Sequence, residues 1–285
     1  MSISISSSAM LVELSVRTWT ARKLDRSVTE EVNVSKKASS AASRVNKHLL
    51  PEVKQLKDIV KYAAAVRNWM YTETLPWSDF GARLIPTANF FDFKQELDSR
   101  TATFNQMVED FIDEYPNLIS AQAFELGDMF NRDEYPTADE IRAKFGMRAS
   151  FMPVPDSGDF RVDIGNEAMA QIKADYEEDF KARMDAATAD IAKRLLEGLS
   201  HVADRLTDSP DGKQKAFKYN MLEKLASTIA TVRALNVTKD EALSRMATQA
   251  EQAINGINVE VLRDMPSARE KLKNDMDNIL DSFNF

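Results

Sequence analysis

NEAMAQIKADYEEDFKARMDAATADIAKRLLEGLSHVADRL, residues 166–206, is the stretch on which the fold turns. Its apolar side chains fall at Met169, Ile172, Tyr176, Phe180, Met184, Ala187, Ile191, Leu195, Val202 and Leu206, mostly three or four positions apart, the period of an α-helix. Met169, Phe180, Ile191 and Val202 are each separated by eleven residues. Eleven residues make just over three whole turns, so the stripe drifts little along a nearly straight rod that need not supercoil to the left. A helix of about 40 residues is roughly 60 Å long, and it cannot bury such a stripe alone.

Working outward, Ser209, Pro210, Asp211 and Gly212 supply a reversing turn, and Met221, Leu222, Leu225, Ile229 and Val232 supply a returning stripe. An antiparallel coiled pair is expected. Thr238 with Glu241 reads as the cap of the next helix, Gly256 interrupts it, and Pro266 begins a last helix carrying Leu272, Met276, Ile279 and Leu280. Residues 166–285 therefore read as a helical coiled-coil arm or bundle.

Residues 1–165 read differently. Leu11 to Trp19 alternates apolar Val12, Leu14 and Val16 with Glu13, Ser15 and Arg17, the period of a half-buried strand. Met147–Val154 and Phe160–Ile164, joined by Pro155, Asp156, Ser157, Gly158 and Asp159, read as a hairpin, and all three strands can share one sheet. Between them Val45, Leu49, Val53, Leu56, Val60 and Ala63 form a helical stripe that Pro51 must kink or restart. Phe93, Leu97, Phe104, Val108, Phe111 and Tyr115 form another, closed by Pro116, and Thr137 with Glu140 makes a capping box ahead of Gly146. The predicted class is mainly α with a small β-sheet: a mixed α+β domain over residues 1–165 and the helical arm beyond.

Charged residues make up 29% of the chain while only 8 of 285 residues are Gly and 9 are Pro, which excludes disordered and collagen-like classes. No cysteine is present, so disulfides, thiolate metal sites and a Cys nucleophile are excluded. The first nine residues lack the basic flank and apolar run of a secretory signal, and no apolar run approaches the roughly 20 residues of a membrane span. A soluble, cytoplasmic protein is expected.

The net charge of −8 is unevenly spread. Arg17 to Arg67 holds 12 Lys/Arg against 5 Asp/Glu, Asn68 to Phe180 holds 9 against 23, and the remainder is balanced at 16 against 16. Such a division marks either a nucleic-acid footprint or a basic and an acidic segment that pair with each other, and the second is the commoner case.

Known chemistries find few residues to use. The glycines are too far apart for a phosphate-cradling loop, and His48 and His201, placed on separate predicted helices, cannot form a two-histidine zinc motif. Asp175, Glu177, Glu178 and Asp179 form the densest acidic run, but only Asp175 with Glu178 or Asp179 shares a helix face, without the Glu-x-x-His pair of di-iron bundles. Asp156, Asp159 and Asp163 lack the spacing of a calcium loop. No catalytic residue, metal or cofactor is assigned.

Interaction candidates are clearer. Trp19 with Arg22, Lys23 and Arg26 combines a ring with cations, a mixture suited either to stacking bases over phosphates or to capping a strand with a basic rim. Trp69, Tyr71 and Trp77 with Leu75, Pro76, Phe80 and Leu84 form an aromatic turn that reads as a core plug. After Lys273 come three acids, no bases, and Phe283 and Phe285. That ending is similar to the partner-docking tips of single-stranded-DNA-binding proteins, yet Met276, Ile279 and Leu280 favour the frayed end of an amphipathic helix.

Several blocks together carry a family resemblance: Leu11 to Leu24 (LVELSVRTWTARKL), Thr74 to Trp77 with Gly81 to Pro86, Asp133 to Thr137, and Pro153 to Val162. The chain resembles a family of phages and prophages known as domain of unknown function thirty-one fifty. Asp159, Phe160 and Arg161 in the last block join Trp77 as contact candidates. The resemblance implies no catalytic residues; it implies genes placed near a chelatase-type AAA+ ATPase and a von Willebrand A-like protein. The expected function is thus a non-enzymatic scaffold or adaptor, oligomeric and working with such an ATPase, its partners being itself, the ATPase or the von Willebrand A-like protein. The alternative is a phage replication protein that binds single-stranded nucleic acid through Arg17 to Arg67 and recruits partners through its acidic tail.

Overall fold

The computed structural model describes residues 8–78, 81–155, 166–208, 215, 216 and 218–283. Strands are β1 (Ala9–Arg17), β2 (Arg22–Leu24), β3 (Asn46–His48), β4 (Leu75–Pro76), β5 (Arg83–Pro86) and β6 (Gly146–Pro153). Helices are α1 (Arg26–Ser35), α2 (Lys54–Glu73), α3 (Phe90–Leu126), α4 (Ala138–Arg142), α5 (Asn166–Leu206), α6 (Met221–Leu235), α7 (Glu241–Ile254), α8 (Val259–Asp264) and α9 (Pro266–Ser282). The fold is mainly helical with a small antiparallel sheet, as the hydrophobic periods require.

The chain forms two compact units, each discontinuous in sequence. One comprises Met1–Glu13, Met70–Phe93 and Ser150–Phe285; the other comprises Leu14–Trp69 and Lys94–Ala149. The sequence reading places a single boundary at residue 165, whereas β1, α2, α3 and β6 each contribute residues to both units.

The larger unit is organised by α5, one unbroken helix of 41 residues. Its stripe of Met184, Ala187, Ile191, Leu195, Leu199, Val202 and Leu206 is buried in one core with Leu225, Ile229 and Val232 of α6, Leu243 and Met246 of α7, and Leu272, Met276 and Ile279 of α9. Burying each such Leu or Ile contributes about 1.5–3 kcal/mol, which explains why a long amphipathic rod recruits three shorter helices. From Met184 onward the ridge is therefore covered by the chain's own helices, as a bundle rather than a two-helix arm. Gly198 lets α5 and α6 approach closely, because a Cβ there would stand 3.2 Å from Leu225 Cδ1. The turn expected at Ser209–Gly212 lies outside the described residues. Asp240, rather than Thr238, caps α7 by accepting from the Leu243 amide at 2.8 Å. Pro266 opens α9 as expected.

At the lower end of α5 the buried Arg269 of α9 acts as a cap. Its Nε donates to the Leu206 carbonyl at 3.1 Å, and Nη2 donates to the carbonyls of Arg205 and Lys215 at 3.0 and 3.3 Å. The last carbonyls of a helix lack intrahelical donors, and a cation there also meets the negative end of the dipole. Arg269→Ala should therefore cost about 2–3 kcal/mol, since it strands buried carbonyls as well as removing the side chain. Chemical denaturation checks it, and a loss near zero would mean that water replaces the guanidinium.

The four-stranded sheet has the order β4-β5-β1-β6. β1 pairs antiparallel with β5, setting Ala9 against Pro86 and Val12 against Arg83, and Leu75 of β4 faces Leu84 of β5. Ala9, Leu11, Leu75, Trp77 and Leu84 join the α5 core. The second expected hairpin strand, Phe160–Ile164, lies outside the described residues.

The smaller unit packs Leu56, Ile59 and Ala63 of α2, Phe104, Val108, Phe111, Ile112, Tyr115 and Ile119 of α3, and Ile141 and Phe145 beside α4 into a second core. The Thr137 capping box is present: its hydroxyl accepts from the Glu140 amide at 3.3 Å, and Glu140 accepts from the Thr137 amide at 2.8 Å. Pro116 does not end α3, which runs on to Leu126. Ile112, Tyr115 and Ile119 are buried on either side of it, and that packing holds the helix across the lost hydrogen bond. Pro51 precedes α2 instead of kinking it, and Val45 to Leu49 is not helical: Asn46–His48 forms β3, pairing with β2.

Candidate functional site

Among the sequence candidates, those around β2 come together in the smaller unit. Asp25 follows β2 and caps α1, accepting from the Val28 amide at 3.1 Å and the Ser27 hydroxyl at 2.8 Å. β2 and β3 place Arg22 opposite His48 and Lys23 opposite Lys47. Two lysines facing each other across a ladder repel. Glu134 resolves this, with one carboxylate oxygen 2.5 Å from Lys47 Nζ and the other 3.9 Å from Lys23 Nζ. Lys47 is 7% exposed, and its ammonium also meets the Met129 carbonyl at 2.8 Å and Asp25 at 3.5 Å. The Val28 amide and Ser27 hydroxyl, with help from Lys47, hold the Asp25 carboxyl below its ordinary pKa.

These residues line a cleft of about 1010 Å³ together with Arg26, Glu31, Asp128 and Arg132. Its charges are balanced, with Lys23, Arg26, Lys47 and Arg132 against Asp25, Glu31, Asp128 and Glu134. The buried cation is spent on internal carboxylates, so the network locks β2, β3 and the Arg132–Glu134 turn together. Tyr135 adds to this by donating its hydroxyl to the Leu49 carbonyl at 2.7 Å, and burial pushes its pKa up to about 12. Lys47, Asp25 and Glu134 were not singled out from the sequence; the only local signal was an Asp ahead of a helical stripe, since Lys47 lies 22 residues beyond Asp25 and Glu134 a further 87.

Trp19 does not stand beside the cations as a stacking platform. It is 8% exposed, its ring 6.5 Å from Phe111 and 6.0 Å from Tyr115 between centroids, because a strand end facing α3 buries a large ring more favourably than it displays one. Arg22, Lys23 and Arg26 remain exposed. The basic segment also does not stay basic in space. Residues 14–69 bring 12 Lys/Arg and 5 Asp/Glu and residues 94–149 bring 6 and 12, so the unit holds 18 cations against 17 anions.

In the larger unit Trp77 is a core plug, as the aromatic turn suggested. It is buried, with Phe180 edge-on at 5.5 Å and the Arg183 guanidinium 5.7 Å over its ring. Phe283 is half-buried against the α5 core, so it extends the α9 stripe instead of projecting as a docking tip. Asp159, Phe160, Arg161 and Phe285 lie outside the described residues.

A surface that sequence reasoning missed sits where α3 begins and β6 ends. Phe90 and Phe151 meet edge to face at 5.2 Å, Phe90 and Phe91 at 5.4 Å, and Phe93 anchors Phe151 from the buried side at 6.4 Å. Phe91 is 80% exposed, and Met152 beside Phe151 is exposed as well. The sequence signal was present in Phe90-Phe91, but a helix stripe read through Phe93 and Leu97 left those two residues without a role.

Among the described residues no helix is long and apolar enough to cross a membrane, and no group of three or more His, Asp or Glu is arranged to hold a metal. No protein-family profile, curated protein or solved structure matches the chain.

Proposed function

We propose that the chain is a non-enzymatic helical scaffold or adaptor, working as an oligomer with an AAA+ ATPase. The observation that carries this reading is the surface aromatic cluster of Phe90, Phe91, Phe151 and Met152. Single exposed apolar residues are ordinary, but an exposed ring, Phe91, and Met152 standing beside the half-buried rings of Phe90 and Phe151 on a helix–strand support make the anchor pattern of protein contacts. The long α5 rod and its bundle supply that rigidity. The identity of the motor, a chelatase-type ATPase with a von Willebrand A-like companion, comes from the resemblance of the Leu11–Leu24, Thr74–Pro86, Asp133–Thr137 and Pro153–Val162 blocks.

The test is direct binding of the full chain to a chelatase-type AAA+ ATPase by biolayer interferometry, with Phe91→Ser as the probe. The variant should unfold within about 0.5 kcal/mol of the parent, because the ring is in solvent, and should bind roughly tenfold or more weakly. A parent chain that neither binds such an ATPase nor self-associates would refute the reading.

A further inference from the structure

We infer that a groove between α5 and α6 is the receptor half of a head-to-tail contact, and that its occupant is the acidic first third of α5 from a second copy of this chain. The inference rests on the scaffold reading and gives it a partner surface. The groove has a volume of about 540 Å³, with Val202, Met221 and Leu225 at its apolar floor. Its rim carries His201, Arg205, Lys218 and Lys224, and none of its described lining residues is acidic. Asp204, next to Arg205 in the chain, is instead held by Lys215 at 2.5 Å.

A cationic rim around an apolar floor selects an amphipathic segment with an acidic flank. The unit that carries the groove is itself the acidic part of the protein. It holds 19 Lys/Arg (1 in residues 70–93 and 18 in 150–285) against 28 Asp/Glu (1 in 1–13, 3 in 70–93 and 24 in 150–285). Its densest acidic run lies on α5, where Asp175, Glu178 and Asp179 are exposed on one face, bordered by half-buried Ile172.

The two halves cannot meet within one molecule. Glu178 and Val202 are on the same unbroken helix, and their spacing puts them about 36 Å apart along a rigid rod. The groove of one copy can therefore take this acidic face only from another copy. Such a contact is heterologous, so repetition closes a ring or extends a filament, in contrast to a twofold dimer.

The experiment is sedimentation of the full-length protein at low and high ionic strength, with paired charge reversals at exposed positions. At low ionic strength the parent chain should sediment with a weight-average mass roughly twofold or more above its 32.1 kDa, and salt should reduce it. Lys218→Glu with Lys224→Glu should return the mass to that of one chain, as should Asp175→Lys with Glu178→Lys. Mixing the two variants should restore assembly, because each then offers the half that the other lacks. A far-UV and near-UV spectrum matching the parent separates lost contact from lost folding. Assembly that ignores the reversals, or a mixture that stays monomeric, overturns this inference and leaves the scaffold reading in place. A parent chain that is monomeric at every ionic strength overturns both this inference and the oligomeric part of that reading.

Discussion

Lys47→Ala should lower the unfolding free energy by about 3–5 kcal/mol, visible as a lower denaturant midpoint at unchanged slope. The reason is asymmetric. Lys47 is the cation on which Glu134 at 2.5 Å and Asp25 at 3.5 Å converge, and its side chain is only 6% exposed. Removing it leaves two nearly buried carboxylates with only the exposed Lys23, 3.9 Å from Glu134, as a counter-charge, a state costlier than the pair itself is favourable. Replacing Lys47 and Glu134 together by Leu should therefore recover most of the loss. A single-variant loss below about 1 kcal/mol would mean that water enters the network freely.

The same network gives the stability curve an acid limb. The folded pKa of Asp25 is depressed, so its contribution is complete above the ordinary value of 3.8 and is lost as pH falls below that towards the folded value. Asp25→Asn should flatten that part of the curve.

Phe111→Ala should cost about 3–5 kcal/mol, the loss of an aromatic side chain plus the cavity it leaves. Phe111 is fully buried, with Trp19 at 6.5 Å, Tyr115 at 5.8 Å and Phe145 at 5.9 Å between ring centroids. Four rings, one from the segment after β1, two from α3 and one from just past α4, thus share one contact. Near-UV circular dichroism should weaken with the variant, because the surroundings of Trp19 loosen, while Phe111→Leu should retain over half of the stability. A loss under about 1 kcal/mol would show that the core collapses to fill the space.

Periodicity carried the long elements. Residues 166–206 announce a rod because forty positions of one period leave little ambiguity, and Thr137 with Glu140 announces a cap because both halves of that device are local. Leu11–Trp19 was legible as a strand for the same reason. The short strands were not: Leu75–Pro76 and Arg83–Pro86 are too brief to alternate, and only the pairing of Arg83–Pro86 with β1 and of Leu75–Pro76 with β5 makes them strands. Pro116 misled because a local breaker was outweighed by burial on both sides. Of the candidate sites, exposure of Arg22, Lys23 and Arg26 was readable from their charge. Trp19 was not, since whether a ring at a strand end faces water or α3 is decided by residues some 90 positions away.

The interleaving of the two units governs how the gene can be dissected. A fragment starting at Asn166 would carry the whole α5 rod but forfeit Ala9, Leu11, Leu75, Trp77 and Leu84, which belong to the same core. Severed from those upstream pieces, its hydrophobic flank would be left wet, and aggregation is the outcome to anticipate for such a truncate. Recombination that exchanges the smaller unit between relatives must therefore transplant two separate coding blocks, residues 14–69 and 94–149, at once.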